Sequence, residues 1–316
     1  MQTASDHDEE LKPAPAWANF TASVTRRLPA GKYRLIEWLC RGSNRRFVGK
    51  MAKELGGYSF DCCLRDAIAR SVFFAGCAAS QEIAFVRAVL RPGMTFADVG
   101  ANWGLFTLVA AHLVGEPGRV VALEPDPRIF VKLKWNVERN NLRQVRLLDA
   151  AAADRDTNLI LLGHDHGGDN WGTSRLVETG SNGQLTFTVR SRRLDALLDE
   201  ARVQMVDLLK IDVEGAEDRV LTGMEAGLNS QRYRRILLEL HPLQLEEHGR
   251  TTRDIVDALK AKGYKGYALD HSLAALRRAY YDPWLHFSEF ILPLQQGLDN
   301  LARHTVWLSP DQPDLI

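Results

Sequence analysis

From about residue 79 onward the sequence alternates between short apolar runs and amphipathic segments, and this alternation constrains the fold more than any other feature. Short apolar runs bounded by Gly, Pro or Asn are typical of buried strands, whereas the longer segments carry apolar residues at helical spacing. Strands that alternate with helices predict an α/β fold with a mostly parallel sheet covered on both faces. The predicted strands are Thr95–Val99, Arg119–Leu123, Val145–Leu148, Asn158–Leu162, Leu185–Arg190, Asp207–Asp212 and Arg235–Leu240.

The N-terminal part of the chain does not follow this alternation. Residues 1–15 are polar, and between residues 26 and 53 a basic run contains Glu37 as its only acid. This run is either an anion-facing patch or, as we favour, a solvated helix face with side chains that reach to water. Phe47–Ala52 and Tyr58–Leu64 flank a glycine pair, which predicts a hairpin. We therefore divide the chain into an N-terminal extension, residues 1–75, expected to cap a substrate, and a main domain, residues 76–316.

Composition limits the classes of protein that this chain can represent. Lys+Arg and Asp+Glu both number 40, so there is no net field to attract nucleic acid. The first ten residues are acidic, unlike a signal peptide, and no apolar run approaches the ~20 residues of a membrane helix. A cytoplasmic protein without a membrane partner is expected. The cysteines lack zinc-type spacing and are interpreted as buried thiols in a reducing compartment: Cys40, Cys62, Cys63 and Cys77.

The first strand of the main domain ends in a glycine-containing turn, Asp98–Gly104, that leads directly into a helix. Ligands bind at strand ends in such sheets, and Gly100 and Gly104 allow backbone to approach a ligand closely. Glu124 ends the second strand, where a carboxylate can accept hydrogen bonds from ribose hydroxyls. These features alone also fit a nicotinamide cofactor. Asp98 favours a ligand with an ammonium group, such as S-adenosylmethionine, over a pyrophosphate, or else it caps the following helix.

A second acidic stretch follows a late strand, within residues 207–217. Asp212 ends that strand and should point into the same crevice as the glycine turn. The next strand brings Glu239 and His241 to this rim, on one face because they are two residues apart. We expect Asp212 and His241 to act in the site, whereas Glu217 is interpreted as an acid that favours the start of a helix.

These blocks together resemble the FkbM-type S-adenosylmethionine-dependent methyltransferases. The resemblance covers roughly residues 80–270 and rests on Asp98–Gly104, Glu124–Pro127, Lys210–Glu217 and Glu239–Pro242. It implies a Rossmann-like, seven-stranded methyltransferase sheet with helices on both faces and S-adenosylmethionine as cofactor. It also implies methylation of a hydroxyl, often on a sugar or natural product. Two alternatives stay open: a methyltransferase that acts on protein or nucleic acid, and a non-catalytic S-adenosylmethionine-binding protein.

The resemblance further implies which residues form the site. The methionine end of the cofactor would lie along the glycine turn, the ribose at the second strand and the adenine after the third. Trp171 would be either a stacking wall for a sugar or an anchor for its own loop. The implied cofactor-binding residues are Asp98, Gly100, Ala101, Asn102, Gly104, Glu124, Pro125, Asp149, Ala150 and Asp212. The implied substrate-binding residues are Trp171, Ser174 and Glu214.

Methylation of a hydroxyl also requires a group that accepts the hydroxyl proton. His241 titrates nearest to neutrality and is the expected base, with Asp212 as its orienting partner or as the base itself. Glu239 completes the expected catalytic set. No metal is expected, although Asp212, Glu214, Glu239 and His241 could alternatively hold a hard divalent cation. The expected partner is a small-molecule hydroxyl acceptor, nucleic acid is not expected, and a homo-oligomer is compatible with the sequence.

Overall fold

The structure is a computed structural model of the 316-residue chain, and it describes residues 11–28, 31–163, 174–177, 185–294 and 303–315. The helices are α1 Ala16–Thr25, α2 Lys32–Cys40, α3 Ala67–Ala75, α4 Ser80–Val89, α5 Leu105–Val114, α6 Pro127–Arg139, α7 Leu194–Glu200, α8 Glu217–Gly223, α9 Glu225–Asn229, α10 Pro242–Glu247, α11 Thr252–Ala261 and α12 Leu273–Tyr281. The strands are β1 Arg46–Lys50, β2 Ser59–Cys63, β3 Thr95–Val99, β4 Arg119–Leu123, β5 Val145–Leu148, β6 Ala151–Ala152, β7 Thr157–Leu162, β8 Arg175–Val177, β9 Thr186–Arg192, β10 Leu208–Ile211, β11 Arg235–Glu239, β12 Lys265–Leu269, β13 Ile291–Pro293 and β14 His304–Leu308.

The central sheet has the strand order β13-β12-β14-β11-β10-β3-β4-β5. Strands β11, β10, β3, β4 and β5 are parallel, and β14 runs antiparallel between β11 and β12. From β3 the chain proceeds outward on one side to β4 and β5, and later returns to β10 on the other side. This reversal opens a crevice beyond the carboxyl ends of β3 and β10, where α/β proteins bind their ligands.

Alternate side chains of the central strands enter two separate hydrophobic cores. On β3, Phe96 packs into one core with α4 and α5, whereas Ala97 packs into the other with α7, α8 and α11. On β10, Leu208 and Leu209 divide between the same two cores. Because successive strand residues point to opposite faces, the sheet is covered by helices on both sides, as the sequence predicts.

The predicted fold class is confirmed, and the sheet carries one strand more than the seven that were expected. The short strand β13 adds an antiparallel edge beyond β12. The sequence analysis also did not find β14 and α12. Strand β14 joins the two halves of the sheet, and α12 covers one side of the crevice.

The N-terminal extension packs directly against the main domain. Strands β1 and β2 form the predicted hairpin, with Phe47 opposite Cys62. Phe60 on β2 stacks on Trp103 of the glycine turn, with ring centroids 5.1 Å apart. Asn136 of α6 joins the same two segments, since it accepts from the N–H of Asp61 at 2.8 Å and donates to the carbonyl of Trp103 at 2.7 Å. One continuous core therefore contains side chains from both parts of the chain.

Several members of the basic run have structural partners within the extension. Arg26 donates to the carbonyls of Phe73 and Lys50, and Arg46 pairs with the buried Asp61 at 2.5 Å. Lys32 is buried, with its Nζ 5.5 Å from the centre of the Tyr280 ring. Among the described residues of the run, these contacts give Arg26, Arg46 and Lys32 packing roles.

The predicted extra strands form a small second sheet beside the central one, with the order β6-β9-β7-β8. Strands β7 and β9 pair antiparallel and correspond to the predicted runs Asn158–Leu162 and Leu185–Arg190. Most of the insertion between them lies outside the described residues, including Trp171. Its interpretation as a stacking wall or a loop anchor stays a prediction.

All four cysteines are free and buried, as expected from their spacing. In the part of the chain that the structure describes, no single helix is long and apolar enough to cross a bilayer. Helices α3 and α4 satisfy that criterion only as a pair, and the chain bends by 69° between them.

Candidate active site

The glycine turn is shaped by residues in left-handed backbone conformations. Gly100, Asn102 and Gly104 have φ angles of 79°, 52° and 101°. At Gly100 a Cβ atom would lie 1.8 Å from the carbonyl oxygen of Asp212, so only glycine permits the ends of β3 and β10 to approach this closely. Helix α5 begins right after Gly104 without a side-chain cap, which leaves N–H donors at the crevice.

The smaller of two cavities at the crevice lies at the ends of β4 and β5. Its lining includes Glu124, Pro125, Ile129 and Ala150. Its volume is about 60 Å³, too small for a nucleoside as the side chains stand, and Ser174 and Leu176 form part of its wall. Apolar walls beside one buried carboxylate fit an adenine ring next to a ribose.

Glu124 connects two backbone segments beside this cavity through hydrogen bonds. Its Oε2 accepts from the N–H of Asn102 and its Oε1 from the N–H of Asp126, both at 2.8 Å. Burial raises the pKa of Glu124 to about 8, although both backbone donors act in the opposite direction. The carboxylate lines the cavity where ribose hydroxyls were expected.

Asp98 lies deeper than the sequence suggested. It is fully buried, accepts from the Thr107 hydroxyl at 2.6 Å and lies 3.7 Å from Lys210 Nζ. It is not among the lining residues of either cavity in the described chain. Its predicted contact with the cofactor ammonium stays a prediction, and the cation that it faces is Lys210. Its alternative role as a helix cap is not observed, because α5 has no side-chain cap.

Lys210 connects the ends of β3 and β10. Its Nζ donates to the carbonyl of Gly100 at 3.2 Å and to Asp212 Oδ2 at 3.3 Å. Burial alone would lower the pKa of Lys210, but the charges of Asp212 and Asp98 outweigh burial and raise it. The lysine therefore stays protonated and fixes the carboxylate of Asp212 at the strand end.

The larger cavity has a volume of about 530 Å³ and lies on the other side of β10. Its walls come from α2, α4 and α12 as well as from the glycine turn. Tyr33 and Tyr280 both line the cavity, with their ring centroids 4.8 Å apart. Gly100, Asn102 and Asp212 line both cavities and so mark their junction.

His241 lies among carboxylates. Its Nδ1 is 2.7 Å from Glu217 Oε1, and its Nε2 is 3.5 Å from Glu214. Carboxylate oxygens of Asp212 and Glu239 each lie 3.8 Å from the same Nε2. Burial alone would lower the pKa of His241, but the acidic neighbours, led by Glu217, raise it to about 9. At neutral pH the ring is therefore an imidazolium that holds these acids together.

This environment changes how His241 and Glu217 are interpreted. A protonated ring cannot accept a proton, and His241 is not among the described residues that line either cavity. Glu217 lies in the first turn of α8, as expected, and in addition it binds His241 and accepts from the N–H of Gly215 at 3.1 Å. Burial and the nearby acids raise the pKa of Glu214 to about 7.

The other predicted residues fall on either side of the junction. Ala101 and Glu239 line the larger cavity, and Ser174 and Glu214 line the smaller one. The two predicted substrate residues Ser174 and Glu214 thus lie on the side where the nucleoside was expected, and Ser174 donates to Asp126 at 2.8 Å. Asp149 lines neither cavity among the described residues. The sequence analysis missed several residues of the larger cavity, including Tyr33, Glu82, His271, Tyr280 and His304.

Comparisons with known proteins show which family the chain is similar to. A family model described as the methyltransferase FkbM domain matches residues 98–265. The chain is 28% identical over 182 residues to the 2-O-methyltransferase NoeI of Sinorhizobium fredii, which covers 54% of this chain and 72% of NoeI. It is 33% identical over 177 residues to the 31-O-demethyl-FK506 methyltransferase FkbM of Streptomyces tacrolimicus, which covers 48% of this chain and 67% of that protein. A solved structure of the methyltransferase FkbM from Methylobacillus flagellatus covers 92% of this chain and 60% of its own, with 13% identity and a TM-score of 0.41.

Proposed function

The chain belongs to the FkbM methyltransferase family, and from this premise we propose that it methylates a hydroxyl oxygen of a small molecule, a sugar or a natural product, with S-adenosylmethionine as donor. The observation that carries the proposal is the position of Asp212, which lines both cavities at their junction. A donor on one side and an acceptor on the other would meet at this carboxylate.

The residues of the smaller cavity and the glycine turn fit the proposed cofactor. The backbone donors at the start of α5 suit the carboxylate of the methionine end, and Glu124 suits the ribose. Pro125 and Ala150 provide apolar surface for the adenine. When it is bound, S-adenosylmethionine supplies a methyl carbon that an acceptor oxygen can attack in line, with S-adenosylhomocysteine as the leaving group.

The protein's own contribution is to place the acceptor. Alignment of two reacting groups at near-attack distance is worth roughly 7–11 kcal/mol in favourable cases. The larger cavity combines aromatic walls, Tyr33 and Tyr280, with polar groups near the junction, Glu239 and Asp212. This mixture suits a partly apolar molecule that carries a hydroxyl group.

We assign the proton-accepting role to Asp212 rather than to His241. The carboxylate of Asp212 faces the junction, with Lys210 on one side and the His241 imidazolium 3.8 Å away on the other. His241 then acts as a positioning residue that keeps Asp212, Glu214 and Glu239 together without direct contact to the acceptor.

Cofactor binding and methyl transfer can be tested separately. Calorimetry should show micromolar binding of S-adenosylhomocysteine to the wild-type protein and no binding of NAD at the same concentrations. Labelled S-adenosylmethionine with a panel of sugars and hydroxylated natural products should then reveal an acceptor. Normal cofactor binding with no transfer to any small molecule, and transfer to protein or RNA instead, would overturn the proposed acceptor class.

The variant Asp212→Asn tests the assigned base. It keeps the size of the side chain and removes its ability to accept a proton, so turnover should fall by ~10²–10⁴-fold. The dissociation constant for S-adenosylhomocysteine should stay within a few-fold of wild type. Asp218→Asn, in the first turn of α8 and outside the lining of both cavities, is the matched control. Wild-type turnover of Asp212→Asn would remove Asp212 from the proton-accepting role.

A further inference from the structure

A buried carboxylate and two histidines converge on the wall of the larger cavity. Glu82 comes from α4, His271 follows β12, and His304 begins β14. One oxygen, Glu82 Oε1, lies 2.8 Å from His271 Nε2 and 2.9 Å from His304 Nδ1. All three residues lie outside the matched family domain, residues 98–265, so that domain does not account for them.

Within this cluster one buried carboxylate oxygen lies against a nitrogen of each histidine. Glu82 Oε1 is enclosed by protein and has no hydrogen-bond partner of normal geometry. His271 Nδ1 lies 3.2 Å from the carbonyl of Leu269, which is the usual arrangement for an N–H donor. A neutral ring that donates from Nδ1 presents a lone pair at Nε2. Such a ring can bind a cation jointly with the carboxylate oxygen 2.8 Å away, whereas a doubly protonated ring would pair with that carboxylate directly.

The mutual arrangement of the rings supports the same conclusion. His271 and His304 stack with centroids 3.9 Å apart and planes 19° from parallel. Two imidazolium rings at this distance repel each other, which favours a neutral form, with a free lone pair, for at least one of them. Metal-bound histidines also commonly donate their other N–H to a backbone carbonyl, as His271 does toward Leu269.

We propose that Glu82, His271 and His304 bind a divalent metal ion of the zinc class in the larger cavity. The three ligand atoms lie within 4.8 Å of one another. Ligands at 2.0–2.1 Å from a tetrahedral zinc ion are ~3.3 Å apart, so the two oxygen–nitrogen distances here, 2.8 and 2.9 Å, would widen by about 0.5 Å when the ion binds. Glu239 Oε2 lies 3.7 Å from His304 Nδ1, beside the three ligands. The fourth position of a tetrahedral ion would be open toward the cavity that all three ligands line.

A metal in this place identifies the class of acceptor, and this step rests on the proposed function. An open coordination position takes an oxygen of the acceptor and lowers its pKa. Acceptors with two neighbouring oxygens, such as vicinal diols or α-hydroxy carbonyl compounds, would chelate the ion. In the transfer step the C–S bond breaks, the C–O bond forms, and the hydroxyl proton passes to the Asp212 carboxylate.

Metal binding can be measured without any methyl acceptor. Tag-free protein is stripped with a chelator and titrated with Zn²⁺ by calorimetry and with Co²⁺ by visible absorption. One equivalent should bind per chain. His271→Gln and His304→Gln should each weaken binding by at least ~100-fold, because loss of a ligand exceeds the loss of an outer-shell partner. His248→Gln, an exposed histidine, is the control and should bind as wild type does. No stoichiometric binding by wild type, or unchanged binding by both variants, would overturn the site.

X-ray absorption on the zinc-loaded wild-type protein decides between this cluster and its neighbour, even where a variant does not fold. Two imidazole ligands are expected from His271 and His304. The other convergent group, Asp212, Glu214 and His241, contains a single histidine. A count of one imidazole would therefore place the ion there and refute the proposal. Metal binding without methyl transfer would refute the proposed function alone, and transfer by metal-free protein would refute the metal's role alone.

Discussion

Glu124 has two tasks that depend on its charge. It accepts from the backbone N–H groups of Asn102 and Asp126, and it lines the cavity where the ribose is expected. Burial raises the pKa of Glu124 to about 8, so most of the side chain is protonated at pH 7. A ligand whose hydroxyls donate to the carboxylate binds the ionised form. We therefore expect the affinity for S-adenosylhomocysteine to rise about tenfold between pH 7 and pH 9.

The variant Glu124→Gln isolates this effect. It should weaken binding by roughly 10–100-fold at pH 9, because hydrogen bonds to a charged group are worth about 1.5–3 kcal/mol. It should also bind with little dependence on pH over the same range. Calorimetry at several pH values measures both effects. A variant that retains the full pH dependence of wild type would assign that dependence to another group.

His241 links the acidic cluster to stability. Its pKa is raised from 6.5 to about 9 in the folded protein, so the folded state binds this proton more tightly than the unfolded chain. The stabilisation is complete below pH 6.5 and is lost as the pH rises through about 9. The difference between the unfolded and folded pKa values of His241 corresponds to roughly 3 kcal/mol of unfolding free energy. This value is an upper limit because Glu214 and Glu239 also titrate nearby.

Urea unfolding at pH 6 and pH 9.5 checks this expectation. Wild type should lose more stability over that interval than His241→Gln, whereas His248→Gln, exposed and outside the cluster, should behave as wild type. An NMR titration should show His241 still protonated at pH 7.5. An ordinary midpoint near 6.5 would restore the imidazole as a candidate base.

Among helices and strands, those with local patterns could be predicted from the sequence, whereas those defined by distant contacts could not. The parallel strands β3, β4 and β10 are apolar runs that end in charged motifs. The sequence therefore indicates both that these strands exist and where their functional ends lie. Strand β14 is short and follows a polar segment, and only its pairing with β11 and β12 identifies it. The larger cavity depends on that pairing, since His304 begins β14. Glu82, His271 and His304 are brought together from three distant segments, and no spacing along the chain reveals this.

The hairpin β1–β2 shapes the glycine turn through a single aromatic contact. Phe60 is fully buried and stacks on Trp103, next to Asn102 at the cavity junction. Phe60→Ala should lower the free energy of unfolding by about 3–5 kcal/mol. It should also weaken S-adenosylhomocysteine binding in the molecules that stay folded, because Trp103 loses its support.

Phe47→Ala is the matched control for this prediction. Phe47 is equally buried in the same hairpin, but its ring meets Phe73, with centroids 5.0 Å apart, rather than the glycine turn. Phe47→Ala should lower the free energy of unfolding by a similar amount and leave the affinity for S-adenosylhomocysteine unchanged. Equal affinities for the two variants would show that the hairpin supports the fold without shaping the site.

At the level of the complete chain, the extension and the main domain share one core, and their unfolding should be coupled. Phe60, Phe73 and Leu64 belong to the same hydrophobic cluster as Phe96 and Leu108. All four cysteines are buried and lie between residues 40 and 77, so thiol labelling reports on the extension and on its junction with α4. Far-UV circular dichroism is dominated by the main domain. In urea the two probes should therefore give coincident transitions.

S-adenosylhomocysteine makes this test sharper, because its expected site lies in the main domain. At 100 times its dissociation constant, the ligand should stabilise the folded chain by about 2.7 kcal/mol. If the core is continuous, the ligand should shift the thiol-labelling and circular-dichroism midpoints by equal amounts. The opposite result would be two separate transitions, of which the ligand moves only the one seen by circular dichroism. That result would mean that the extension unfolds independently. Its contacts with Trp103 and Asn136 would then be too weak to couple it to the site.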